Sequence, residues 1–413
     1  MYDYSIAMTT LIDFYQQFGA TIVQVFVDSW VVWLPVLLGI SFFHTWMSYT
    51  RAQFIFKQGS VLLEIKLPKD IMRSPAAMEL IFIAVYQTGS ATLLETYLGG
   101  KVRPWFSFEM ASFGGDVHFY IWTVPKFKGL IEAQIYAQYP TAEIYEVDDY
   151  TTHVYHDLSR YPFWATYFKL SKADAYPIKT YIDYGLDKSM EEEEKIDPLT
   201  SVLEYLGALG PNEEAWIQII IQAHKKEGFK DARLFSRPDW TVGIDKEIEK
   251  VLKPYAPEKD KPKLMTPMYI NEIVEALHRS KAKFPFEVCM RGFYIPTKGD
   301  AFNSTNISGL IGSVRQYSSN TLNGLKLGKF TDYDYPWQDF QRKRRNMIER
   351  KMLEAYKRRS FFQEPFKYWR QKPFILNTEE LATIYHFPGG VATTPTLTRI
   401  PSRKSEPPAN LPL

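Results

Sequence analysis

An uncharged apolar segment near the N-terminus constrains this chain more than any other feature. Residues 30–47 read WVVWLPVLLGISFFHTWM and contain no Asp, Glu, Lys or Arg, and apolar residues at 22–27 extend the segment upstream. A helix of about 20 apolar residues spans the hydrocarbon core of a bilayer. Tryptophans at the two ends, Trp30 and Trp46, are typical of side chains at headgroup level. The sequence therefore predicts a transmembrane anchor over residues 21–50, and the alternative is a buried core helix.

The charges around this segment predict its direction in the membrane. The first basic residue of the chain is Arg51 and Lys57 follows closely, whereas three aspartates precede the span. Basic residues beside a span stay in the cytoplasm. We therefore expect a single-pass protein of the inner (cytoplasmic) membrane, with residues 1–20 outside and the bulk of the chain inside. The N-terminus lacks the basic start of a signal peptide, so the anchor is expected to remain uncleaved.

The composition beyond the anchor is that of folded domains. The chain has 413 residues, of which 46% are hydrophobic, and its net charge is +2, so any attraction for nucleic acid or an acidic membrane must be local. The single cysteine, Cys289, cannot form an intramolecular disulfide or a thiolate zinc site. Such cysteine usage indicates a reducing compartment.

The order of strand and helix patterns after the anchor occurs twice. Residues 58–150 give β-α-β-β-α-β, with Gly114-Gly115 as the hairpin turn. The same order returns over residues 160–335, interrupted by an insertion at 223–283. The predicted fold class is α+β: one N-terminal transmembrane helix, two tandem ferredoxin-like (βαββαβ) units, a basic helix and an irregular C-terminal tail.

A strongly basic helical segment follows the second unit, within a connector at residues 337–372. Such a helix can bind the phosphates of nucleic acid or of anionic lipids, and the alternative is a solvated link between domains. The candidate phosphate contacts are Arg342, Lys343, Arg344, Arg345, Arg350, Lys351, Lys357, Arg358 and Arg359. Residues 373–413 are predicted to form a short helix, begun by a capping box of Asn377 and Glu380, and a proline-rich tail.

The sequence lacks the motifs of several common enzyme classes. No glycine cluster has the Gly-x4-Gly-Lys-Ser/Thr spacing of a P-loop, and there is no His-Glu-x-x-His, Gly-x-Ser-x-Gly or Cys-x-x-Cys pattern. We therefore expect no enzyme, no cofactor and no metal site, although an enzyme with an unrecognised site is a further alternative. His118 and Cys289 are interpreted as packed strand residues.

Three stretches of the chain resemble a known family. They are FSFEMASFGGDVHFYIWTVPKFKGLIEAQIYAQYPTAEI at residues 106–144, the FEV segment at 286–288 with its following helix and TLNGLK at 321–326, and FILNTEELATIYHFPG with TPTLTRIPSRKSEPPANLP within 374–412. They resemble the N-terminal region of membrane-anchored HerA/FtsK-type ATPases, related to the TraG-like coupling proteins of bacterial conjugation and type IV secretion. In that family a P-loop ATPase domain follows the PPANLP segment, and no position here matches its nucleotide-binding residues. The resemblance thus implies either a subunit of a split motor or a shortened form.

Together these features predict a non-catalytic, membrane-anchored adaptor or docking subunit of a DNA-translocation or type IV secretion machine. Its expected partners are the membrane and a P-loop ATPase of the HerA/FtsK type, and DNA and further copies of the chain are candidates. The alternative is a membrane-associated nucleic-acid-binding protein that uses the basic helix and exposed sheet aromatics such as Tyr120 and Trp122.

Overall fold

The computed structural model describes residues 3–68, 73–89, 91–155, 163–188, 196–226, 239–255, 265–297, 302–333 and 335–388. Most of the tail predicted at residues 373–413 therefore lies outside the described residues. The helices are α1 (Asp3–Asp28), α2 (Trp30–Gln58), α3 (Ala76–Ala84), α4 (Leu93–Tyr97), α5 (Pro125–Gln138), α6 (Pro198–Gly207), α7 (Trp240–Leu252), α8 (Met268–Lys281), α9 (Ser304–Ser313), α10 (Lys343–Lys357) and α11 (Thr378–Ile384). The strands are β1 (Val61–Lys66), β2 (Phe106–Phe113), β3 (Asp116–Thr123), β4 (Glu143–Val147), β5 (Trp164–Leu170), β6 (Glu213–Ala223), β7 (Pro285–Pro296), β8 (Leu325–Phe330) and β9 (Phe374–Asn377).

The predicted membrane segment forms one long helix. Among the described residues, α2 alone is long and apolar enough to cross a membrane, and nearly all of its apolar part is exposed rather than buried in protein. It begins at Trp30 and not at residue 21, because the chain leaves helical geometry at Ser29, whose φ and ψ are −87° and 6°. The upstream residues form the separate helix α1, which the sequence analysis did not predict.

The described strands form a single antiparallel sheet. Their order across the sheet is β4-β1-β3-β2-β6-β7-β5-β8, and β9 pairs with one end of β7. The two halves of the chain meet where β2 pairs with β6, in a register that runs from Phe106 opposite Ile221 to Phe113 opposite Glu214. We call this pairing the seam. The chain thus has an α+β fold built on an antiparallel sheet.

Alternate residues of each strand point to opposite sides of the sheet. Each of the two faces is covered by a hydrophobic core. On the first face Phe108, Phe119 and Ile217 belong to one core with residues of α3, α5, α6, α9 and α11. On the second face Trp216 and Phe293 belong to another core, which includes residues of α10.

The insertion predicted at residues 223–283 contains α7 and α8, and its described residues Trp240, Ile244 and Leu277 form a small separate cluster. Two short elements, α4 and β9, were not predicted. The predicted capping box at the start of α11 is confirmed. The Asn377 side chain accepts the Glu380 backbone N–H, and the Glu380 side chain accepts the Asn377 backbone N–H.

Candidate functional site

The basic segment predicted from the sequence forms α10, which lies across the second face of the sheet. Two 3-10 turns, Pro336–Gln338 and Phe340–Arg342, precede it. The Asp339 carboxylate accepts the backbone N–H groups of Arg344 at 2.8 Å and Arg345 at 2.9 Å. A carboxylate at this position satisfies donors at the helix N-terminus and favours the positive end of the helix dipole.

One side of α10 is apolar and buried against the sheet. Ile348, Met352, Leu353 and Tyr356 recur at helical spacing and belong to the core of the second face. Tyr356 packs on Phe293 with ring centroids 4.7 Å apart. The helix is therefore part of the folded body and not a solvated link between domains.

The other side of α10 carries a line of exposed cations. Six of the nine predicted contact residues are exposed, and we call this set the basic stripe: Arg342, Lys343, Arg344, Arg350, Lys351 and Arg358. Arg350 pairs with Glu354 on the same face, with its Nε 3.1 Å from a carboxylate oxygen. The remaining cations of the stripe still give this surface an excess of positive charge, which is the electrostatic requirement for binding a polyanion.

The other three predicted contact residues are engaged inside the protein. Arg345 bonds Glu349 at 2.7 Å and Asp332 at 3.0 Å, and Lys357 donates to the Val154 carbonyl. Burial lowers the pKa of Lys357 below its ordinary value. Arg359 is buried, with only 1% of its side chain exposed. In this structure Arg359 is therefore not available to an external phosphate, in contrast to the sequence-based expectation.

Arg359 instead joins a buried ionic network beside the seam. Its Nε and one terminal nitrogen donate to the two carboxylate oxygens of Glu109 at 2.9 and 3.0 Å, and it also bonds Asp149. Glu109 accepts further bonds from Tyr150 at 2.9 Å and from Gln218, its partner across the seam, at 2.9 Å. Burial alone would raise the pKa of Glu109, but the attraction of Arg359 and these hydrogen bonds keep it below the ordinary value.

The aromatic residues expected to be exposed on the sheet are covered. Tyr120 and Trp122 are only 6% and 8% exposed. Tyr120 stacks on Tyr150 with centroids 4.7 Å apart, and Trp122 stacks on Trp105 at 5.7 Å. The expectation that these rings are exposed and can stack on bases is therefore wrong, because Tyr150 and Trp105 pack over them on this face of the sheet.

The C-terminal half of α2 is packed into the folded body. Met47 and Thr50 are buried, and the Trp46 indole N–H donates to the Tyr97 carbonyl of α4 at 2.9 Å. Gly100 lies against the α2 backbone with a φ of +64°, and a Cβ there would come within 2.3 Å of the Thr50 carbonyl carbon. Only glycine tolerates both this left-handed conformation and so close an approach.

Short helix α4 was missed in the sequence analysis although it carries a recognisable start signal. The Thr92 hydroxyl accepts the Glu95 backbone N–H, and the Glu95 carboxylate accepts that of Thr92, which is a capping box. Leu94 and Leu98 nevertheless remain 69% and 62% exposed. The helix therefore presents apolar side chains to its surroundings directly beside α2.

Cys289 and His118, which were interpreted from the sequence as packed strand residues, lie on strands β7 and β3. Cys289 is buried in the core of the second face, and burial raises the pKa of its thiol to about 11. His118 is half-buried, with its Nδ1 2.6 Å from Glu64. Among the described residues, no three His, Cys, Asp or Glu side chains are grouped so as to hold a metal ion.

No protein-family model matches this chain, and no curated protein sequence matches it.

Proposed function

We propose that the chain is a non-catalytic membrane-anchored adaptor, which docks a motor protein of a DNA-translocation or type IV secretion-like machine to the inner membrane. In this proposal α2 crosses the membrane once with the N-terminus outside, and the sheet body lies in the cytoplasm. The first basic residue, Arg51, occurs at the inner end of the apolar segment, as the positive-inside rule requires.

The observation that carries the proposal is the continuity of α2. The same helix has exposed apolar residues such as Val31, Leu37 and Ile40 in its first half and the buried residues Met47 and Thr50 in its second half. A long exposed apolar helix is costly in water and favourable in lipid. An element that is inserted in lipid and packed into a protein body holds that body at a defined distance from the bilayer.

We also propose that the body consists of two ferredoxin-like units joined at the seam. The first half supplies the consecutive strands β4-β1-β3-β2, and the second half, read from its outer edge, supplies β8-β5-β7-β6. Counting strands within each half, both follow the order 4-1-3-2. This is the strand order of a βαββαβ unit, and the intervening helices α3, α5, α6 and α9 all contribute to the core of the first face.

The expected partner is a P-loop ATPase of the HerA/FtsK type, because the resemblance described above concerns the region that precedes such a motor domain. The test divides membranes of the native host into three samples: one for carbonate washing, one for protease protection, and one that is left unwashed for detergent extraction and affinity purification of the full chain. We expect a carbonate-resistant protein whose residues beyond Arg51 are protected with the cytoplasmic contents. A P-loop ATPase should co-purify with it; a protein released by carbonate, or one that brings down no such ATPase, contradicts the adaptor proposal.

A second function, binding of nucleic acid, is favoured by the basic stripe. Each phosphate neutralised by a stripe residue contributes about 0.9 to the slope of log K against log salt concentration for duplex DNA. The same purified chain can be compared with an Arg344→Gln/Lys351→Gln variant in salt-dependent filter binding. A protein that binds DNA through the basic stripe should show a lower affinity for DNA and a smaller salt slope in this variant. An adaptor that contacts only protein and lipid should show no DNA binding in either form.

A further inference from the structure

Helix α4 keeps three leucines on the surface of the protein. Leu93, Leu94 and Leu98 are 42%, 69% and 62% exposed. Leu94 and Leu98 have the i, i+4 spacing that places two side chains on the same side of a helix. Contiguous exposed side chains of this size mark contact with a membrane or with another protein. We call these three residues the leucine patch.

The leucine patch is a fixed feature of the fold, because α4 is held at both ends. At its start the capping box of Thr92 and Glu95 satisfies backbone N–H groups at 2.8 and 3.3 Å. Beyond its end the Lys101 side chain lies 3.1 Å from Glu95, and Gly100 packs against the backbone of α2. The exposure of the leucines is therefore part of the folded structure and does not come from fraying of a helix end.

The contacts of α4 with α2 place the leucine patch at the C-terminal end of the apolar segment. The Trp46 indole N–H donates to the Tyr97 carbonyl at 2.9 Å, and the rings of Phe43 and Tyr97 lie 5.9 Å apart. Trp46 is the last tryptophan of the apolar segment, and tryptophans at the end of a span lie at headgroup level. With five residues, α4 is only about 7 Å long, so its leucines lie close to that level.

The leucine patch continues the apolar surface of α2. Phe42 and Phe43 of α2 are 69% and 47% exposed, and Phe43 contacts α4 through Tyr97. Gly100, which follows α4, lies against Thr50, a buried residue of the C-terminal half of α2. Helix α4 thus lies between the folded body and the exposed apolar half of α2. Because lipid covers that half of α2 in the proposed anchoring, the same lipid is the nearest apolar occupant for the leucine patch.

We propose that α4 lies in the headgroup layer of the cytoplasmic leaflet, with the leucine patch among the headgroup ends of the acyl chains. Interfacial helices bury their apolar side about 5–10 Å into this boundary. This inference rests on the proposed membrane anchoring by α2. A single spanning helix leaves the body free to turn about the helix axis, and a second contact with the bilayer restricts this turn. The anchor sets the distance of the body from the bilayer, and α4 sets its orientation.

The test places a fluorescent label at single positions of the full chain in lipid nanodiscs. The only native cysteine is removed by Cys289→Ala, and the label is attached to Leu94→Cys or, independently, to Leu98→Cys. The lipids carry bromine either near the headgroup or near the methyl end of the acyl chain, because bromine quenches a label that it contacts. We expect both labels to be quenched, more strongly by bromine near the headgroup, and to be protected from iodide in the water.

Two further positions serve as references for lipid and for water. A label at Leu37→Cys, in the exposed apolar half of α2, should be quenched more by bromine near the methyl end. A label at Met268→Cys, at an exposed position of α8, should be quenched by iodide and by neither lipid. Quenching by lipid at Leu37 without quenching at Leu94 refutes the interfacial position of α4 and leaves the anchor standing. A label at Leu37 that neither lipid quenches refutes the anchor itself.

A second variant tests whether the leucines themselves hold α4 in the lipid. With the label at Leu93→Cys, the double change Leu94→Ser/Leu98→Ser should reduce quenching by the brominated lipids. The matched control is Met265→Ser/Met268→Ser, which removes two exposed apolar side chains from another part of the surface and should leave the quenching unchanged. The variants compared are those whose thermal unfolding matches that of the wild type.

Two results would overturn the inference. The first is equal quenching by lipid with and without the leucines at positions 94 and 98. The second is a label at Leu94 that is protected from iodide and is quenched by neither lipid, which would show that a second copy of the chain covers α4.

Discussion

Arg359 has a different role in the structure from the one that its place in the sequence predicts. In the sequence it is the last of a run of cations, and in the fold it is a buried partner of Glu109 and Asp149 at the seam. A buried charge is tolerated only when it is paired and hydrogen-bonded. The network thus connects the end of α10 to β2, and through Gln218 to β6.

Replacing Arg359 should destabilise the body more than replacing its exposed neighbour. Arg359→Met leaves the Glu109 carboxylate buried without its cation, so we expect a loss of about 3–5 kcal/mol in the free energy of unfolding. The measurement is denaturant unfolding of the detergent-solubilised chain. Arg358→Met is the control and should change stability by less than about 0.5 kcal/mol. The double variant Glu109→Gln/Arg359→Met should recover part of the loss, and equal effects of the two single variants would rule out the network described here.

Glu380 predicts a pH dependence of stability. Burial, with Glu379 and Asp174 nearby, raises the pKa of Glu380 to about 8, although the Asn377 and Ile178 backbone N–H groups oppose this. The native state then holds a proton that the unfolded chain releases above its ordinary pKa of 4.5. The stability that this group contributes is complete at acid pH and is lost as the pH rises toward 8.

The Glu380→Gln variant tests the direction in which stability changes with pH. Between about pH 5 and pH 8 the difference in unfolding free energy between variant and wild type should shift in favour of the variant, by about 1 kcal/mol per pH unit. Glu275→Gln, at an exposed position of α8, should give no such trend. A difference that is flat across this range, or that shifts the other way, contradicts a proton held by Glu380 in the native state.

At the scale of elements, the joint between α2 and the body depends on a glycine. Gly100→Ala places a methyl group against the Thr50 backbone in a left-handed conformation, and we expect a loss of more than about 2 kcal/mol. The measurement is thermal unfolding, with limited proteolysis after Arg51 as a probe of the joint. Gly129→Ala in α5 is the matched control: nothing lies within 4 Å of its Cβ position, so this change should be neutral or slightly stabilising. Equal effects of the two variants would argue against close packing at Gly100.

Apart from helix α1, the long periodic elements could be predicted from the sequence, whereas the short strand β9 could not. Helix α5 (Pro125–Gln138) and strand β8 (Leu325–Phe330) occupy the places of a helix and a strand in the predicted β-α-β-β-α-β order, because proline at a helix start and alternation in a strand are local signals. Strand β9 has four residues and depends on pairing with β7, so no local pattern identifies it. The turns before α10 were likewise absorbed into the predicted basic helix, because the break at Gln341 and Arg342 is a left-handed backbone conformation that their residue types do not signal.

At the scale of the whole molecule, the sequence predicted the order of the elements but not the seam. Pairing of β2 with β6 joins residues more than 100 positions apart, and nothing within either strand specifies the other as its neighbour. The candidate site was only partly predicted, because some of its residues depend on contacts with segments that are remote in the sequence. The exposed residues of the basic stripe follow from helical spacing, whereas the burial of Arg359 depends on its contacts with the remote residue Glu109.

The continuous course of α2 has a mechanical consequence. Its 29 residues would measure about 43 Å as a regular helix, with lipid around one part and the packed body around the other. Because the helix is continuous, a tilt of its exposed apolar half turns the sheet that is packed against its other half. In the proposed anchoring, thinning of the bilayer or a sideways pull by a neighbouring span would rotate the body relative to the membrane.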